Sequence, residues 1–251
     1  MQADYARNYR NLWQRHWWWR AREAYLLERL KGLHRRAGSP RWRLLDVGCG
    51  DGLFFERLQR FGTVEGLEPD GSLVTDPRWS GRITVAALDD PGFDPGPTYD
   101  VVLMLDVLEH IGDDLGALRA VRAALKPDGA AILTVPALPW LWSRHDEVNE
   151  HHRRYTRRWL GRLLRVAGFE VETLRYFFAW TVPPLLLRRW LAPARGKGLA
   201  ADYAVAVPPA PLNRALGALS RVEQGVGRVV TWPVGSSLLA VARPRRGEGQ
   251  P

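Results

Sequence analysis

LLDVGCGDG, residues 44–52, joins a run typical of a buried strand to three glycines at alternate positions. Glycine has no Cβ, so the backbone can turn sharply at these positions and approach a ligand closely. A helical pattern follows at residues 53–61, and the free N–H groups at the start of a helix favour an anionic or polar group. The segment therefore predicts a strand, a ligand-binding turn and a helix, in that order.

Two acidic residues accompany this turn. Asp46 lies at the end of the strand, just before the first glycine, and Glu68 ends the next predicted strand. An acid at the latter place can accept hydrogen bonds from ribose hydroxyls. The glycines follow the pattern G-x-G-x-G rather than the G-x-G-x-x-G of dinucleotide-binding proteins. A ligand that contains a nucleoside is therefore expected at the carboxyl edge of the sheet.

Short apolar runs alternate with helical patterns through the middle of the chain, which is typical of a parallel sheet with crossover helices. The strands are predicted at residues 41–47, 63–68, 82–88, 99–107, 130–135, 169–177 and 236–243. Helices are predicted at residues 53–61, 113–125 and 157–168. The predicted fold class is therefore α/β.

The order of these motifs resembles that of class I S-adenosylmethionine-dependent methyltransferases. After LLDVGCGDG, the matching motifs are GLEPD (66–70), ALDD (87–90), VVLMLDVLEHIGDD (101–114) and LKPDGAAILTVPA (125–137). Three later segments, LWSRHDEVNEHHRRYTRR, GFEV with YF, and SSLLAVAR, are similar to those of the type 11/12 group. The resemblance implies a Rossmann-like sheet of seven mostly parallel strands, with the last strand antiparallel and helices on both faces.

The resemblance also implies S-adenosyl-L-methionine as the cofactor and S-adenosyl-L-homocysteine as the product. The three glycines would line the methionine part near Asp46, Glu68 would hold the ribose, and two residues after the third strand would flank the adenine. Residues after the fourth strand would lie under the sulfonium. The predicted cofactor-binding residues are Asp46, Gly48, Cys49, Gly50, Asp51, Gly52, Glu68, Pro69, Leu88, Asp89, Leu105, Asp106, Val107 and His110.

WSRHDEVNEHHRRYTRR, residues 142–158 and called here the histidine segment, follows the fifth predicted strand. It is expected at the same sheet edge as the cofactor loops, where ligands of open α/β sheets bind. A hydroxyl acceptor needs a base, and histidine suits that role near neutral pH. An arginine could hold an acidic group of the acceptor, and a tyrosine could shape the pocket. The predicted catalytic residues are His145, His151, Arg154 and Tyr155, with Arg153 as an alternative to Arg154.

Three other interpretations of the histidine segment stay open from the sequence. His145, Asp146 and His151 could bind a metal, but the chain has no paired cysteines and no H-E-x-x-H helix, so no metal is expected. The segment could be a nucleic-acid arm, although aromatic residues are not interleaved with its basic ones. It could also be a structural network that caps the next helix.

The chain is expected to divide into four parts. These are an N-terminal helical segment (1–38), a cofactor-binding domain (39–176 with 236–244), an apolar helical insertion (177–235) and a tail (245–251). A single tryptophan-rich helix is predicted at residues 12–33, with a stripe of Leu12, Trp19, Leu26, Leu30 and Leu33. The insertion is expected to contain an amphipathic helix with Leu212, Ala215, Leu216, Leu219, Val222, Val226 and Val229 in register. The insertion is predicted to cap an apolar acceptor or to lie at a membrane surface.

The net charge is +9, from 36 basic and 27 acidic residues. Such a balance favours binding to the phosphate groups of nucleic acid or anionic lipid. It is equally typical of a basic surface that is exposed to solvent. The single cysteine, Cys49, fits a reducing compartment. No secretory signal is recognised at the N-terminus. The protein is therefore expected in the cytoplasm, with peripheral contact at the inner membrane face left open.

The leading hypothesis is methyl transfer to a small-molecule acceptor that is apolar, lipid-linked or glycan-linked. A nucleic-acid methyltransferase is the first alternative, but an N-P-P-Y-type motif is missing after the fourth strand, where the sequence is LDVLEH. A non-catalytic, cofactor-binding scaffold at a membrane surface is the second alternative. The acceptor molecule, the acceptor atom and the oligomeric state are not predicted.

Overall fold

The computed structural model describes residues 10–90, 93–191 and 206–246. It contains a seven-stranded sheet in the order β3-β2-β1-β4-β5-β7-β6. The strands are β1 (Trp42–Val47), β2 (Gly62–Glu68), β3 (Ile83–Val85), β4 (Tyr99–Leu105), β5 (Leu125–Pro136), β6 (Phe169–Phe177) and β7 (Ser237–Pro244). β7 runs antiparallel to both β5 and β6, whereas β1 to β5 pair in parallel. The predicted fold is confirmed.

Helices cover both faces of this sheet. They are α1 (Trp17–Arg36), α2 (Phe55–Leu58), α3 (Asp114–Ala124), α4 (Arg144–Val148), α5 (Arg157–Val166), α6 (Val182–Leu191) and α7 (Ala210–Val226). On one face, α3 and α5 pack on side chains such as Leu45, and on the other, α1 and α2 pack on side chains such as Leu44. Both faces of the central strands are therefore buried, as expected for parallel β-strands.

The helix predicted at residues 53–61 is much shorter in the structure, where α2 covers only Phe55–Leu58. The glycine loop continues as a turn up to Phe54. At the other end the chain must return closely to β1, because a Cβ on Gly62 would lie 1.9 Å from the carbonyl oxygen of Trp42. The close return to the sheet leaves room for one helical turn.

The N-terminal helix is broken where the sequence predicts a continuous one. Residues 10–15 are helical, His16 is extended, and α1 begins at Trp17. The Nδ1 atom of His16 accepts a hydrogen bond from the backbone N–H of Trp18 at 3.1 Å, so this side chain caps the new helix. The predicted stripe is confirmed as buried: Leu12, Trp19, Leu26, Leu30 and Leu33. The additional tryptophans contact the insertion, since Trp17 packs against Phe178 and Trp180.

The predicted insertion, residues 177–235, contributes α6 and α7 between β6 and β7. Residues 192–205 lie outside the described residues, as do residues 1–9 of the N-terminal segment and residues 247–251 of the tail. The predicted helix of the insertion is present, but its orientation is unexpected. Ser220 and Glu223 are buried against the protein, whereas Leu219 and Val222 face solvent. Among the described residues, no helix is both long and apolar enough to cross a membrane.

Candidate active site

The glycine loop after β1 and the loop after β4 touch each other at the carboxyl edge of the sheet. Gly48 and Gly50 have φ angles of 66° and 54°, which lie in the left-handed region that favours glycine. A Cβ on Gly48 would lie 2.5 Å from Cγ2 of Val107. Gly52, with φ 67°, packs in the same way against Trp79. At these glycines the loop backbone lies close to its neighbours, and no side chain covers it.

Glu68 lies at the end of β2 with its carboxylate directed at the glycine loop. Its Oε2 accepts a hydrogen bond from the backbone N–H of Gly50 at 2.8 Å, and its Oε1 accepts one from Asp70 at 3.0 Å. Burial raises the pKa of Glu68, and these two hydrogen bonds oppose the rise. Each carboxylate oxygen has a further lone pair, so the side chain can still accept hydrogen bonds from a ribose.

Asp46 and Cys49 lie deeper at the same edge. Burial raises the pKa of Asp46 to about 7, although the positive charge of Arg22 opposes this. Burial also raises the pKa of the Cys49 thiol, which therefore stays protonated and unreactive. Its sulfur fills the space beside Gly66, where a Cβ would lie 2.4 Å from Sγ. Asp46 is thus an acid that a bound cation can ionise, and Cys49 is a packing residue.

Asp51 faces away from the sheet edge and joins the glycine loop to its surroundings. Its Oδ1 accepts hydrogen bonds from the backbone N–H groups of Thr75 and Asp76, at 2.9 and 2.6 Å. Its carboxylate also pairs with Arg10 of the N-terminal segment. These partners give Asp51 a structural role in the loop, and the prediction that it contacts the cofactor stays a prediction.

The other predicted cofactor residues lie at the same edge, next to the ends of β2, β3 and β4. Pro69 and Asp89 are exposed, Leu88 is buried in the core, and Leu105 and Val107 are half-buried. The structure thus groups the residues that follow these strands, although they are distant in the sequence.

Arg22 reaches this edge from α1 and was not predicted. The residue is 2% exposed, and Nη2 lies 2.6 Å from Oδ2 of Asp106 and 3.0 Å from Oγ1 of Thr134. Asp106 has a φ of 57°, which is strained for a residue other than glycine and is typical of functional sites. The sequence did hold a signal, because Arg22 continues the apolar stripe of Trp19 and Leu26 at helical spacing.

The histidine segment is organised around Asp146, whose side chain is fully buried. His151 Nδ1 lies 3.0 Å from Asp146 Oδ1, and Arg154 donates from Nε to Oδ1 at 2.7 Å and from Nη2 to Oδ2 at 2.9 Å. Burial by itself raises the pKa of Asp146, but the hydrogen bonds from His151 and Arg154 outweigh it and hold that pKa well below its usual range. A carboxylate only accepts hydrogen bonds, so Nδ1 of His151 carries a proton, and in the neutral ring the lone pair is then on Nε2.

Two more histidines flank His151. The ring of His110 packs edge-on at a centroid distance of 4.7 Å, and the ring of His145 does so at 6.2 Å. Burial lowers the pKa of His145 to about 4, so it is neutral near pH 7. His110 follows β4 and the other two follow β5, so the cluster lies at the edge that holds the glycine loop.

Two of the predicted catalytic residues have structural partners within the fold, and their catalytic roles stay predictions. Tyr155 is fully buried and donates to Oδ2 of Asp114 at 3.0 Å, so it does not line a pocket. The guanidinium of Arg154 donates two hydrogen bonds to Asp146. The alternative, Arg153, pairs with Asp114 at 2.7 Å. These residues position the histidine segment, as the interpretation of a structural network expects.

Glu109, which sequence reasoning missed, lies beside this cluster. It is fully buried, and neither carboxyl oxygen has a hydrogen-bond partner among the described residues. Burial and then the charge of Asp106 raise its pKa well above the usual range, which favours the protonated carboxyl. One potential ligand atom each of Glu109, His110 and His151 lies within 4.8 Å of the others, a spacing that suits a divalent ion. A metal would have to displace the Glu109 proton first.

Comparison with known proteins gives a family match over most of the chain. Residues 13–174 match the family model described as a methyltransferase domain. This range contains the glycine loop, Glu68 and the histidine segment. It ends within β6, before the insertion.

Curated relatives include ubiquinone biosynthesis O-methyltransferases. The protein of Vibrio parahaemolyticus is 32% identical over 113 residues, which cover 42% of this chain and 46% of the relative. The protein of Ruegeria pomeroyi is 38% identical over 104 residues, which cover 36% of this chain and 39% of the relative. The chain thus spans less than half of the length of these relatives.

Solved structures share the fold at low sequence identity. An S-adenosylmethionine-dependent methyltransferase of Thermotoga maritima aligns with a TM-score of 0.56 and 17% identity, over 95% of this chain and 95% of that one. The 1,6-didemethyltoxoflavin-N1-methyltransferase of Burkholderia thailandensis, solved with 1,6-didemethyltoxoflavin and S-adenosylhomocysteine, aligns with a TM-score of 0.50 and 18% identity, over 85% and 75%.

Proposed function

Because the chain belongs to the methyltransferase-domain family, we propose that it is an enzyme that transfers a methyl group from S-adenosylmethionine to a small-molecule acceptor. The observation that supports this best is the hydrogen bond from Gly50 to Glu68. It fixes an acidic side chain beside a glycine loop, at the sheet edge where ligands of open α/β folds bind. S-adenosylhomocysteine is the product of the proposed reaction.

The residues at this edge suit that cofactor. When bound, S-adenosylmethionine supplies a methyl group on a sulfonium, which needs no further activation. We propose that the backbone of the glycine loop accommodates its methionine part, that Asp46 ionises to pair with its ammonium, and that Glu68 accepts hydrogen bonds from its ribose. Leu88 and Asp89 flank the adenine in this proposal. Asp106, Val107 and His110 lie towards the reacting methyl group.

His151 is the best candidate for the base that a hydroxyl acceptor requires. Its Nε2 has a lone pair, and Asp146 at Nδ1 stabilises the imidazolium that forms when the ring takes a proton. Arg154 holds Asp146 through two hydrogen bonds and so fixes the ring's orientation. His145, neutral and adjacent, is the second candidate. Alignment of the acceptor oxygen with the methyl group can supply about 7–11 kcal/mol of the barrier reduction.

We propose an oxygen atom on an apolar, lipid-linked or glycan-linked small molecule as the acceptor. The names of the curated relatives specify O-methylation in ubiquinone biosynthesis. In this chain, Trp140 is 45% exposed in the turn that leads from β5 into the histidine segment, which supports an apolar acceptor. We further propose that the enzyme works in the cytoplasm and contacts the inner membrane face, where such acceptors partition. Nucleic acid is not part of this proposal.

A ligand-binding series combined with a transfer assay tests the function. We expect S-adenosylhomocysteine to raise the melting temperature, whereas NAD should not. At a concentration of 100 times its Kd, the ligand should add about 2.7 kcal/mol to the free energy of unfolding. Tritiated methyl groups should pass from S-adenosylmethionine to phenols with an apolar tail more readily than to the same phenols without one. Stabilisation by NAD instead would overturn the cofactor, and equal transfer to both phenols would overturn the apolar acceptor.

A further inference from the structure

Helix α7 presents an apolar strip to solvent. Leu212, Leu219, Val222 and Val226 are 47%, 44%, 63% and 39% exposed. The opposite side, which packs on the protein, contains Gly217, Ser220 and Glu223. A surface helix usually buries its apolar side, so this helix is turned the other way from the usual arrangement.

Polar contacts fix this orientation. The backbone N–H of Ala179 donates to Oε1 of Glu223 at 2.8 Å, and that of Trp17 donates to Oδ1 of Asn213 at 2.9 Å. Gln224 donates to the carbonyl oxygen of Ala21 at 3.0 Å. Rotating α7 to bury its leucines would break all of these hydrogen bonds and expose their buried partners. The outward apolar strip is therefore a stable property of the fold.

Helix α6 also exposes apolar side chains, and the turn before it contacts α7. It follows the turn Ala179–Thr181, and Ser220 of α7 bonds to Trp180 in that turn, with Trp180 Nε1 3.3 Å from Ser220 Oγ. Three consecutive leucines near its start, Leu185, Leu186 and Leu187, are 41%, 42% and 56% exposed. Together with the strip on α7, these leucines exceed the scattered apolar exposure that is normal for a protein surface.

A line of arginines borders the apolar strip. Arg214 and Arg221 are seven residues apart, which places them along one side of α7, and Arg228 follows just after the helix ends; all three are exposed. Arg228 lies 3.6 Å from Glu28 and the other two have no ion-pair partner among the described residues. The only acidic residue of α7 is Glu223, which is buried. The outward side of this helix is therefore apolar on one flank and purely basic on the other.

We infer that the exposed faces of α6 and α7 dock on an anionic lipid surface, with α7 lying in the plane of the membrane. The leucines and valines enter the boundary of the acyl chains, and the arginines reach the lipid phosphates beside it. The charge pattern opposes docking of a second copy on this face, because it would bring two arginine lines together. The inference rests on the membrane contact proposed above and names the surface that makes it, while lipid binding itself needs no methyl transfer.

Flotation of the purified full chain with lipid vesicles tests the inference. We expect the protein to float with vesicles of phosphatidylcholine and phosphatidylglycerol and to stay behind with phosphatidylcholine alone. Val222→Ser should lower the partition coefficient by about fivefold, since it removes apolar area that enters the lipid. Val166→Ser, at a valine 57% exposed on α5, is the matched control and should change nothing.

Two charge-reversal variants distinguish a local contact between α7 and the lipid from an effect of the protein's net charge. Arg221→Glu should weaken binding by about tenfold. Arg162→Glu, the same change at an exposed arginine on α5, should have little effect.

Melting curves establish that all variants fold. Failure to float with either vesicle, or equal losses in the controls, would overturn the inference. A dimer in sedimentation velocity that Val222→Ser abolishes would identify a second copy as the occupant instead. Activity with a water-soluble phenol tests the proposed function separately.

Discussion

Arg22 of α1 and Asp106 at the end of β4 form an ion pair, with Nη2 and Oδ2 2.6 Å apart, at the edge where the cofactor is proposed to bind. Since Arg22 is 2% exposed, Arg22→Ala removes one partner of a nearly buried pair and leaves Asp106 and Thr134 unpaired. We expect the free energy of unfolding to fall by about 3 kcal/mol, measured by urea denaturation. Arg20→Ala, at an exposed arginine of the same helix, should change it by less than about 0.5 kcal/mol. Equal effects would show that the ion pair is unimportant.

Glu68→Ala should abolish most of the binding of S-adenosylhomocysteine. The change removes a carboxylate that is expected to accept two ribose hydrogen bonds, so the Kd measured by calorimetry should rise about 100-fold. Glu56→Ala, at an exposed glutamate of α2, serves as the control and should leave the Kd unchanged. An unchanged Kd in Glu68→Ala, with the fold intact, would remove the ribose from this position.

The affinity for S-adenosylhomocysteine should rise with pH through neutrality. Burial raises the pKa of Asp46 to about 7, so below that pH the side chain is protonated and must lose its proton before it can pair with the ligand's ammonium. The Kd should therefore increase about tenfold for each pH unit below 7 and level off above it. Asp46→Asn should bind more weakly at pH 8 and show a flat profile. A wild-type Kd that does not change between pH 5 and pH 8 would contradict the pairing.

His151→Ala should lower kcat by about 100-fold or more, because the proposed base is lost while the cofactor loops are untouched. The Kd for S-adenosylhomocysteine should stay the same. His152→Ala, at the exposed neighbour, should keep full activity. If His151→Ala is active and His145→Ala is not, the base is His145.

Glu109→Gln should be nearly neutral. Burial raises the pKa of Glu109 well above its usual range, and a protonated glutamic acid and a glutamine are both uncharged and similar in shape. We expect melting temperature and kcat to change little, and EDTA to have no effect. A loss of activity in both experiments would instead indicate a divalent ion held with His110 and His151.

The sheet and its glycine loop were predictable from the sequence because each depends on local pattern. A strand buried on both faces is a continuous apolar run, as in residues 101–105, and three closely spaced glycines mark a turn wherever they occur. The family resemblance added the antiparallel last strand. Neither source required knowledge of contacts between distant elements.

The features that the sequence did not predict depend on such contacts. Arg22 gains its role only when α1 is placed across the ends of β4 and β5. Tyr155 resembles a pocket residue beside two histidines, yet it packs under the loop because Asp114 lies there to accept its hydrogen bond. Burial of the polar side of α7 is favourable only because its side chains form hydrogen bonds with backbone groups of Trp17, Ala21 and Ala179.

The position of β7 between β5 and β6 sets a condition on synthesis of the protein at the ribosome. Among the strands that the structure describes, β6 pairs only with β7, so it has none of them to join until residues 237–244 have left the exit tunnel. Until then the nascent chain exposes the open edges of both β5 and β6, which are templates for aggregation. Emergence of residues 237–244 therefore completes the sheet in one step, and chaperone protection should be needed up to that moment.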